Sequence, residues 1–473
     1  MKKSASKYRT ETDSMGDVVV PKNALYQAQT QRAHNNFQFS QRRFPAQTLN
    51  AIIDIKAHAA FINAELGLLD NTISKAILAA SDLSKNLDFA EQFPLDLFQT
   101  GSGTSTNMNV NEVIATLASQ SIKQNVHPND HVNMGQSSND VVPSAISLSA
   151  VRLLKAQLYP ALTALISTLK DNENRFNLQV KTGRTHLMDA MPITLGQEFR
   201  CWRVQLEQAM LRISQQEILL YTLPLGGTAV GSGVNTHRDF AKKLCQHLST
   251  QDGIPWKSAA TPSVYMSAQE HTLALAGSLK TLAVALMKIA NDVRWMNSGP
   301  LAGLNEIQLQ ALQPGSSIMP GKVNPVIPEA VAMIAAEIIG NECALTIAAQ
   351  SGNFQLNVML PLIADKLLAS IELLSTGCSA LTEKVFADFT VNQTELARTM
   401  SLNPVLATAL NSIVGYNQAA NIAKRAVKEQ RSVLDVAAEV TSLSKEELGE
   451  LLNPLHLALP HANYSDEKPD KEN

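Results

Sequence analysis

The chain has 473 residues, of which 45% are apolar and 17% charged, and its formal net charge is −3. That length supports two or three domains around a large core. The near-neutral charge gives no electrostatic case for nucleic acid or for an anionic membrane surface.

Only 5% of the residues are aromatic while alanine and leucine abound, a composition that favours helix packing over sheet sandwiches. The N-terminus, "MKKSASKYRTETDSMG", has basic residues with no apolar segment behind them, so neither a secretory signal nor a mitochondrial presequence is expected. Helical segments are expected at roughly 49–67 and 72–90. The loop "TGSGTSTNMN", Thr100 to Asn109, is glycine-rich, but its spacing is not that of a dinucleotide-binding turn and no lysine follows as in a P-loop. What remains is a cluster of hydroxyl, amide and backbone donors suited to a carboxylate, or a cap for a helix over Asn107 to Ala118.

"HPNDHVNMGQSSND", His127 to Asp140, places histidine, asparagine and aspartate close together. A single carboxylate between His127 and His131, with no cysteine, makes a poor metal set. Its "SSND" offers neutral donors and equally caps a helix beginning near Val141. "KTGRTHLMDAMP", Lys181 to Pro192, carries His186 just ahead of a helix expected near Thr194. "GGTAVGS", Gly226 to Ser232, comes closer to a P-loop but lacks the lysine before its serine.

Residues 263–299, 329–360 and 362–403 contain no proline, so each can hold a very long helix. Leu275, Leu279, Leu282, Leu286, Ile289, Val293 and Met296 recur at steps of four and three, a heptad seam that builds scaffold. Thirty helical residues span roughly 45 Å, too long for one subunit to cover on all sides, so an oligomer is expected. Between these stretches "GSSIMPGKVNP", residues 315–325, cannot be an ordinary helix. Lys322 is its only cation, beside Ser316, Ser317 and Asn324, and Glu329 falls in the first turn of the next helix. A glutamate there is ordinary helix-dipole placement, or a carboxylate that orients a histidine.

The uncharged run Cys343 to Ala364 is broken by polar residues and reads as a buried helix end and loop rather than a membrane span. Cys201, Cys245, Cys343 and Cys378 lie far apart without a C-x-x-C pair, so no zinc or iron–sulfur site is expected. They read as reduced, mostly buried thiols of a cytoplasmic protein. From about residue 401 the helices shorten and end in a charged, disordered tail, "NYSDEKPDKEN".

Together these loops resemble the fumarase/aspartase superfamily, and within it the class II, iron-independent fumarases, from about Tyr8 to His456. "GSSIMPGKVNP" is similar to the superfamily signature, and "TGSGT", "HPND", "SSND", "GRTHL" and "SGNFQLNV" follow in the same order as in fumarases. Aspartate ammonia-lyases typically have glutamine in place of His186, alanine in place of Gly321 and "STND" in place of "SSND". Against that, "NPVIPE" and "AGLNEI" at 302–307 look aspartase-like, and Leu301, Gln27 and Gln124 depart from the usual fumarase residues.

The resemblance implies a mainly α, three-domain fold. Residues 1–141 form a mixed helical and loop domain, 142–400 a central long-helix bundle that becomes a multi-helix core in the oligomer, and 401–473 a small helical domain with the tail. It implies a homotetramer whose sites are shared between three subunits, a dicarboxylate substrate, no cofactor, and reversible hydration of fumarate to L-malate through an aci-carboxylate. By the same resemblance Ser316 takes the carbon proton, and His186, paired to Glu329, protonates the leaving hydroxyl through a water. Lys322 and Asn324 hold a substrate carboxylate, while Ser102, Gly103, Thr104, Ser137, Ser138, Asn139, Thr185 and Ser317 bind the rest of the substrate. His127, Pro128, Asn129 and Asp130 resemble a second, non-catalytic anion site. The rival readings are another lyase of the superfamily, aspartate ammonia-lyase above all, and a helical scaffold that kept the fold.

Overall fold

A computed structural model describes residues 7–315 and 317–460. The chain is mainly helical. In order, it forms α1 (Ala46–Glu65), α2 (Asn71–Ser84), α3 (Thr104–Ile122) and α4 (Ser138–Leu153), then the hairpin β1 (Val180–Thr185) and β2 (Met188–Thr194). There follow α5 (Leu195–Glu217), α6 (Glu270–Met296), α7 (Val326–Ala349) and α8 (Leu360–Leu381), with shorter helices from residue 393 onward. Among the described residues β-structure is confined to five two-stranded ribbons and an isolated bridge between Arg43 and Asp96.

The helix boundaries follow local chemistry. Asp70 starts α2 by accepting the backbone N–H groups of Thr72 at 2.7 Å and Ile73 at 3.2 Å. The helix expected over 72–90 stops at Ser84, because Asp88 accepts the Ala90 N–H at 2.8 Å and opens a separate turn over Phe89–Gln92. The seam from Leu275 to Met296 lies along α6, and all seven of its side chains are buried.

The chain divides into two compact units. The first comprises Met1–Pro160, Ala209–Val284 and Ile334–Thr376. In it α1 packs on α2 and α4, and α3 packs on α2. The facing residues Ile52, Ile53, Ile55, Ile77, Ile114 and Ile146 are almost completely removed from water. The second comprises Ala161–Gln208, Ala285–Met333 and Gly377–Asn473. Phe176, Phe199, Trp202, Phe386 and Phe389 form an aromatic cluster there, with ring centroids 5.2–6.0 Å apart. A further core of Leu406, Leu410, Ile422, Val436 and Leu448 gathers the short C-terminal helices.

Three helical runs, Ser138–Arg175, α6 and α7, are long and apolar enough to cross a membrane by length and composition. The run Cys343 to Ala364 is the end of α7, a ribbon of Gly352–Asn353 with Leu356–Asn357, and the start of α8. One correction concerns the thiols: all four cysteines are free, but only Cys245 and Cys378 are buried, while Cys201 and Cys343 are exposed. The helical period leaves both on outward faces. The expected disordered tail falls outside the described residues.

His271 is buried, and burial pulls its imidazole down to about 4 from the ordinary value near 6.5. The unfolded chain therefore binds the extra proton between these values, and the contribution of His271 to stability is lost as pH drops from 6.5 to 4. The expected result is a urea midpoint that declines over that window, and declines less in His271→Phe; equal slopes in the two proteins would count against the assignment.

Candidate active site

Four of the singled-out motifs meet in the first unit. α3 begins at Thr104 because Gly103 takes φ +73°, a left-handed conformation that glycine accepts without strain. Gly101 is required for another reason: a Cβ there would lie 1.7 Å from the carbonyl oxygen of Val358. That close approach seats "TGSGT" on the end of "SGNFQLNV", where the Leu360 N–H donates to the Gly101 carbonyl at 2.9 Å. Buried Asn357 stiffens this support by donating to the Ala348 carbonyl and accepting from the Met359 N–H.

On this base the hydroxyls form a chain. Ser102 Oγ lies 2.8 Å from Thr104 Oγ1, which lies 2.7 Å from Ser138 Oγ. Ser138 Oγ donates to Asn139 Oδ1 at 3.3 Å, and Asn139 Nδ2 donates to the Ala229 carbonyl at 2.9 Å. The capping reading of "SSND" is borne out. Ser137 caps α4, accepting the Asn139 N–H at 3.2 Å, and Asp140 returns the favour by accepting the Ser137 N–H at 2.9 Å. Capping engages the Ser137 oxygen and the Asp140 carboxylate, while Ser138 and Asn139 join the run of side-chain hydrogen bonds from Ser102 and Thr104.

"HPND" forms a single wide turn, Pro128–Val132. His127 Nδ1 accepts the Asp130 N–H at 3.1 Å and lies 3.2 Å from Asp130 Oδ2. His127, Pro128 and Asn129 line a cleft of about 550 Å³ together with Gln27, Arg32 and Glu112. The cation of this cleft is already committed: Arg32 grips Asp13 through two bonds of 2.8 and 3.0 Å. Its guanidinium holds the Asp13 carboxyl below the usual carboxylate range.

The remaining expected residues lie in the second unit. His186 and Leu187 are the two-residue turn between β1 and β2, with φ +57° and +60°. Two successive left-handed residues are the hairpin geometry usually given to Asn-Gly. Strain of this kind in non-glycine residues is characteristic of functional positions. The turn is exposed, as are Thr185 and Met188 on either side of it. Its root is fixed by Glu306, a buried carboxylate 2.7 Å from Arg184 and 3.0 Å from Lys181.

In the signature loop Lys322 Nζ donates to Asn324 Oδ1 at 2.6 Å, and Asn324 Nδ2 donates to the Gly315 carbonyl at 2.7 Å. The loop closes on itself at Gly315, where a Cβ would lie 2.0 Å from the Lys322 carbonyl oxygen. Ser317 is exposed, and Ser316 lies outside the described residues. Lys322, Asn324 and Glu329 line a cavity of about 830 Å³. Glu329 stands in the first turn of α7, as expected. Within one chain no hydrogen bond or ion pair among the described residues joins it to His186. The sequence reading missed several polar groups of this cavity, among them Asn291, Arg294, Asn297, Ser298 and Gln308. Arg294 follows Val293 of the seam, and only its position one residue off the buried stripe distinguishes it. Leu301 is almost fully exposed and Gln27 bonds the Thr116 hydroxyl, so neither departure enters the donor chain.

Among the described residues no three His, Cys, Asp or Glu side chains are grouped to hold a metal ion. The donors are hydroxyls, amides and one ammonium, a set suited to a carboxylate.

Residues 16–340 match the family model described as "Lyase", and residues 406–458 match "Fumarase C C-terminus". The chain is 53% identical over 455 residues to a class II fumarate hydratase of Xylella fastidiosa, covering 96% of both chains. It is 52% identical to "Fumarate hydratase class II 2" of Pseudomonas aeruginosa, covering 94% of this chain and 97% of the other. The crystal structure of the recombinant class II fumarase from Schistosoma mansoni superposes with a TM-score of 0.93 at 37% identity. That likeness covers 96% of this chain and all of the other.

Proposed function

The chain belongs to the class II fumarate hydratase family, and from that premise we propose how its residues carry out the family's hydro-lyase reaction. It catalyses the reversible hydration of fumarate to L-malate. The observation that carries the site assignment is the run of hydroxyls from Ser102 through Thr104 to Ser138, with Asn139 at its end. Such a row of neutral donors fits one carboxylate of a dicarboxylate substrate and leaves the second for Lys322 and Asn324.

In the malate direction Ser316, ionised, takes the proton from the carbon beside the second carboxylate. The electron pair of that C–H bond moves onto the carboxylate as an aci-carboxylate, whose added charge Lys322 and Asn324 stabilise. The pair then returns to form the double bond, and the C–O bond to the hydroxyl breaks. His186, oriented by Glu329 and acting through a water, supplies the proton, so that water leaves. Thr185 and Ser317 complete the binding set, and His127 to Asp130 form a second, non-catalytic anion site.

The complete site is assembled in a homotetramer. Supporting this, α6 and α7 leave large apolar side chains uncovered, among them Val284, Met333, Ile339 and Ile347. In the most apolar window of α7 only 28% is buried within the chain. An exposed apolar face of that extent is covered by association, and we propose that the pairing of His186 with Glu329 forms across such an interface of self-packed long helices. We also propose a three-part chain with boundaries at 141 and 400; the separate C-terminal core supports the second of these. A cytoplasmic location, in the tricarboxylic acid cycle, fits four free thiols.

The test is formation of fumarate, followed by its ultraviolet absorbance, with L-malate or L-aspartate and no added metal. Absorbance should rise with L-malate alone and be unchanged by a chelator. A rise with L-aspartate instead would place the chain with the ammonia-lyases.

A further inference from the structure

Beneath the donor chain lies a lysine that the mechanism does not use. Lys56, on α1, is fully buried. No carboxylate among the described residues touches it, and its Nζ donates to Asn133 Oδ1 at 2.7 Å and Gln136 Oε1 at 3.0 Å. Burying an ammonium on two amides is expensive, and burial pulls Lys56 down to about 7 against the opposing pull of Asp140.

The contacts of this lysine converge on the motifs. Asn133 Oδ1 also accepts from Asn107 Nδ2 at 3.3 Å and Asn111 Nδ2 at 3.2 Å, one turn apart on α3, the helix that "TGSGT" opens. Asn133 Nδ2 donates to the Gln136 carbonyl at 3.1 Å, and Gln136 immediately precedes Ser137. One cation therefore ties α1, α3 and the strand of chain between "HPND" and "SSND".

Asp140, the other buried charge here, performs the matching task on the far side. Besides capping Ser137, it accepts the N–H groups of Gly226 at 3.0 Å and Thr228 at 2.9 Å. This holds "GGTAVGS", the motif that no step of the reaction absorbed, so that the Ala229 carbonyl meets Asn139 Nδ2. Thr228 sits at φ +56° with its hydroxyl buried and without a partner among the described residues. For a β-branched residue that conformation is a true outlier, kept where the surroundings impose it.

We propose that Lys56 and Asp140 are positioning residues that together hold Ser138 and Asn139 in the geometry that binds the substrate carboxylate. This rests on the reading of Asn139 as a substrate donor. A merely structural lysine would lower stability or active fraction when replaced, without acting through Asn139.

The test is steady-state kinetics of Lys56→Met, Asn139→Ala and the double variant, with fumarate and with L-malate. Lys56→Met should raise KM about tenfold for both substrates with kcat within about threefold, as expected when uniform binding is lost. In the Asn139→Ala background it should add less than about twofold, because the two residues act as one unit. KM effects that multiply independently, or a fall in kcat at unchanged KM, would overturn the proposal. If Asn139→Ala alone leaves KM unchanged, the donor reading itself fails, a separate outcome. Should Lys56→Met not fold, Asp140→Asn decides by the same criteria, since its amide cannot accept from both sides.

Discussion

Replacing Lys322 by methionine should lower kcat by about 10³, with a smaller rise in KM. The argument starts from charge. The substrate already carries two carboxylates, and removing a carbon proton adds a further negative charge to one of them. Among the described residues no carboxylate lies within ion-pair distance of Lys322. Its ammonium donates to Asn324 Oδ1, while Asn324 is itself tied to the Gly315 carbonyl. Among the described residues the cation is thus held by neutral groups. A donor aimed where charge develops contributes mainly to the transition state, so its loss appears in kcat. Methionine keeps the length and removes the charge. Lys322→Arg should not restore the rate, since a planar guanidinium cannot replace a point charge folded back onto Asn324. Saturating L-malate separates the alternatives: a variant with normal kcat and a raised KM would confine Lys322 to holding the ground state.

How much of this was legible before the coordinates depends on what each signal encodes. The seam of α6 was legible because a heptad repeat is the imprint of burial along one side of a helix, and all seven positions are buried. The donor loops were legible because glycine and hydroxyl residues between helices have few other uses. The capping half of the "SSND" reading is visible in the fold, with Ser137 and Asp140 capping α4 while Ser138 and Asn139 extend the hydroxyl run. The hairpin under His186 was not foreseen. Its turn is His-Leu, and nothing in those two residues announces positive φ as Asn-Gly would. Lys56 was equally invisible. A lysine within an alanine- and isoleucine-rich helix reads as a solvated position, and only the tertiary fold shows that it is buried. A residue that acts by supporting others carries no local pattern, because partners such as Asn133 and Gln136 lie 77 and 80 positions from Lys56 in the sequence.

Two impaired variants should restore each other. Ser316→Ala removes the base and should lower kcat by at least about 10³. Asn139→Ala damages the carboxylate site on a different part of the chain. If each active site draws these residues from different copies, a tetramer containing both variants holds some sites with an intact Ser316 and an intact Asn139. For random one-to-one assembly about a quarter of sites qualify, so the rate at substrate well below KM, which reads kcat/KM, should return to about a quarter of the wild-type value. The mixture must be unfolded and refolded together, or co-expressed, because intact tetramers do not exchange by simple mixing when the interface is large and apolar. The exposed side chains of α7, Met333, Ile339 and Ile347, are the reason to expect such an interface. Activity no greater than the sum of the two variants, in a preparation shown by native mass to be mixed, would mean that Ser316 and Asn139 serve the same site from one chain. The hydroxyl chain and the signature loop would then have to meet within a single protomer, and the tetramer would lose its catalytic purpose. Recovery near a quarter would instead tie the oligomer to the chemistry, since no protomer alone could then supply both the base and the carboxylate donor.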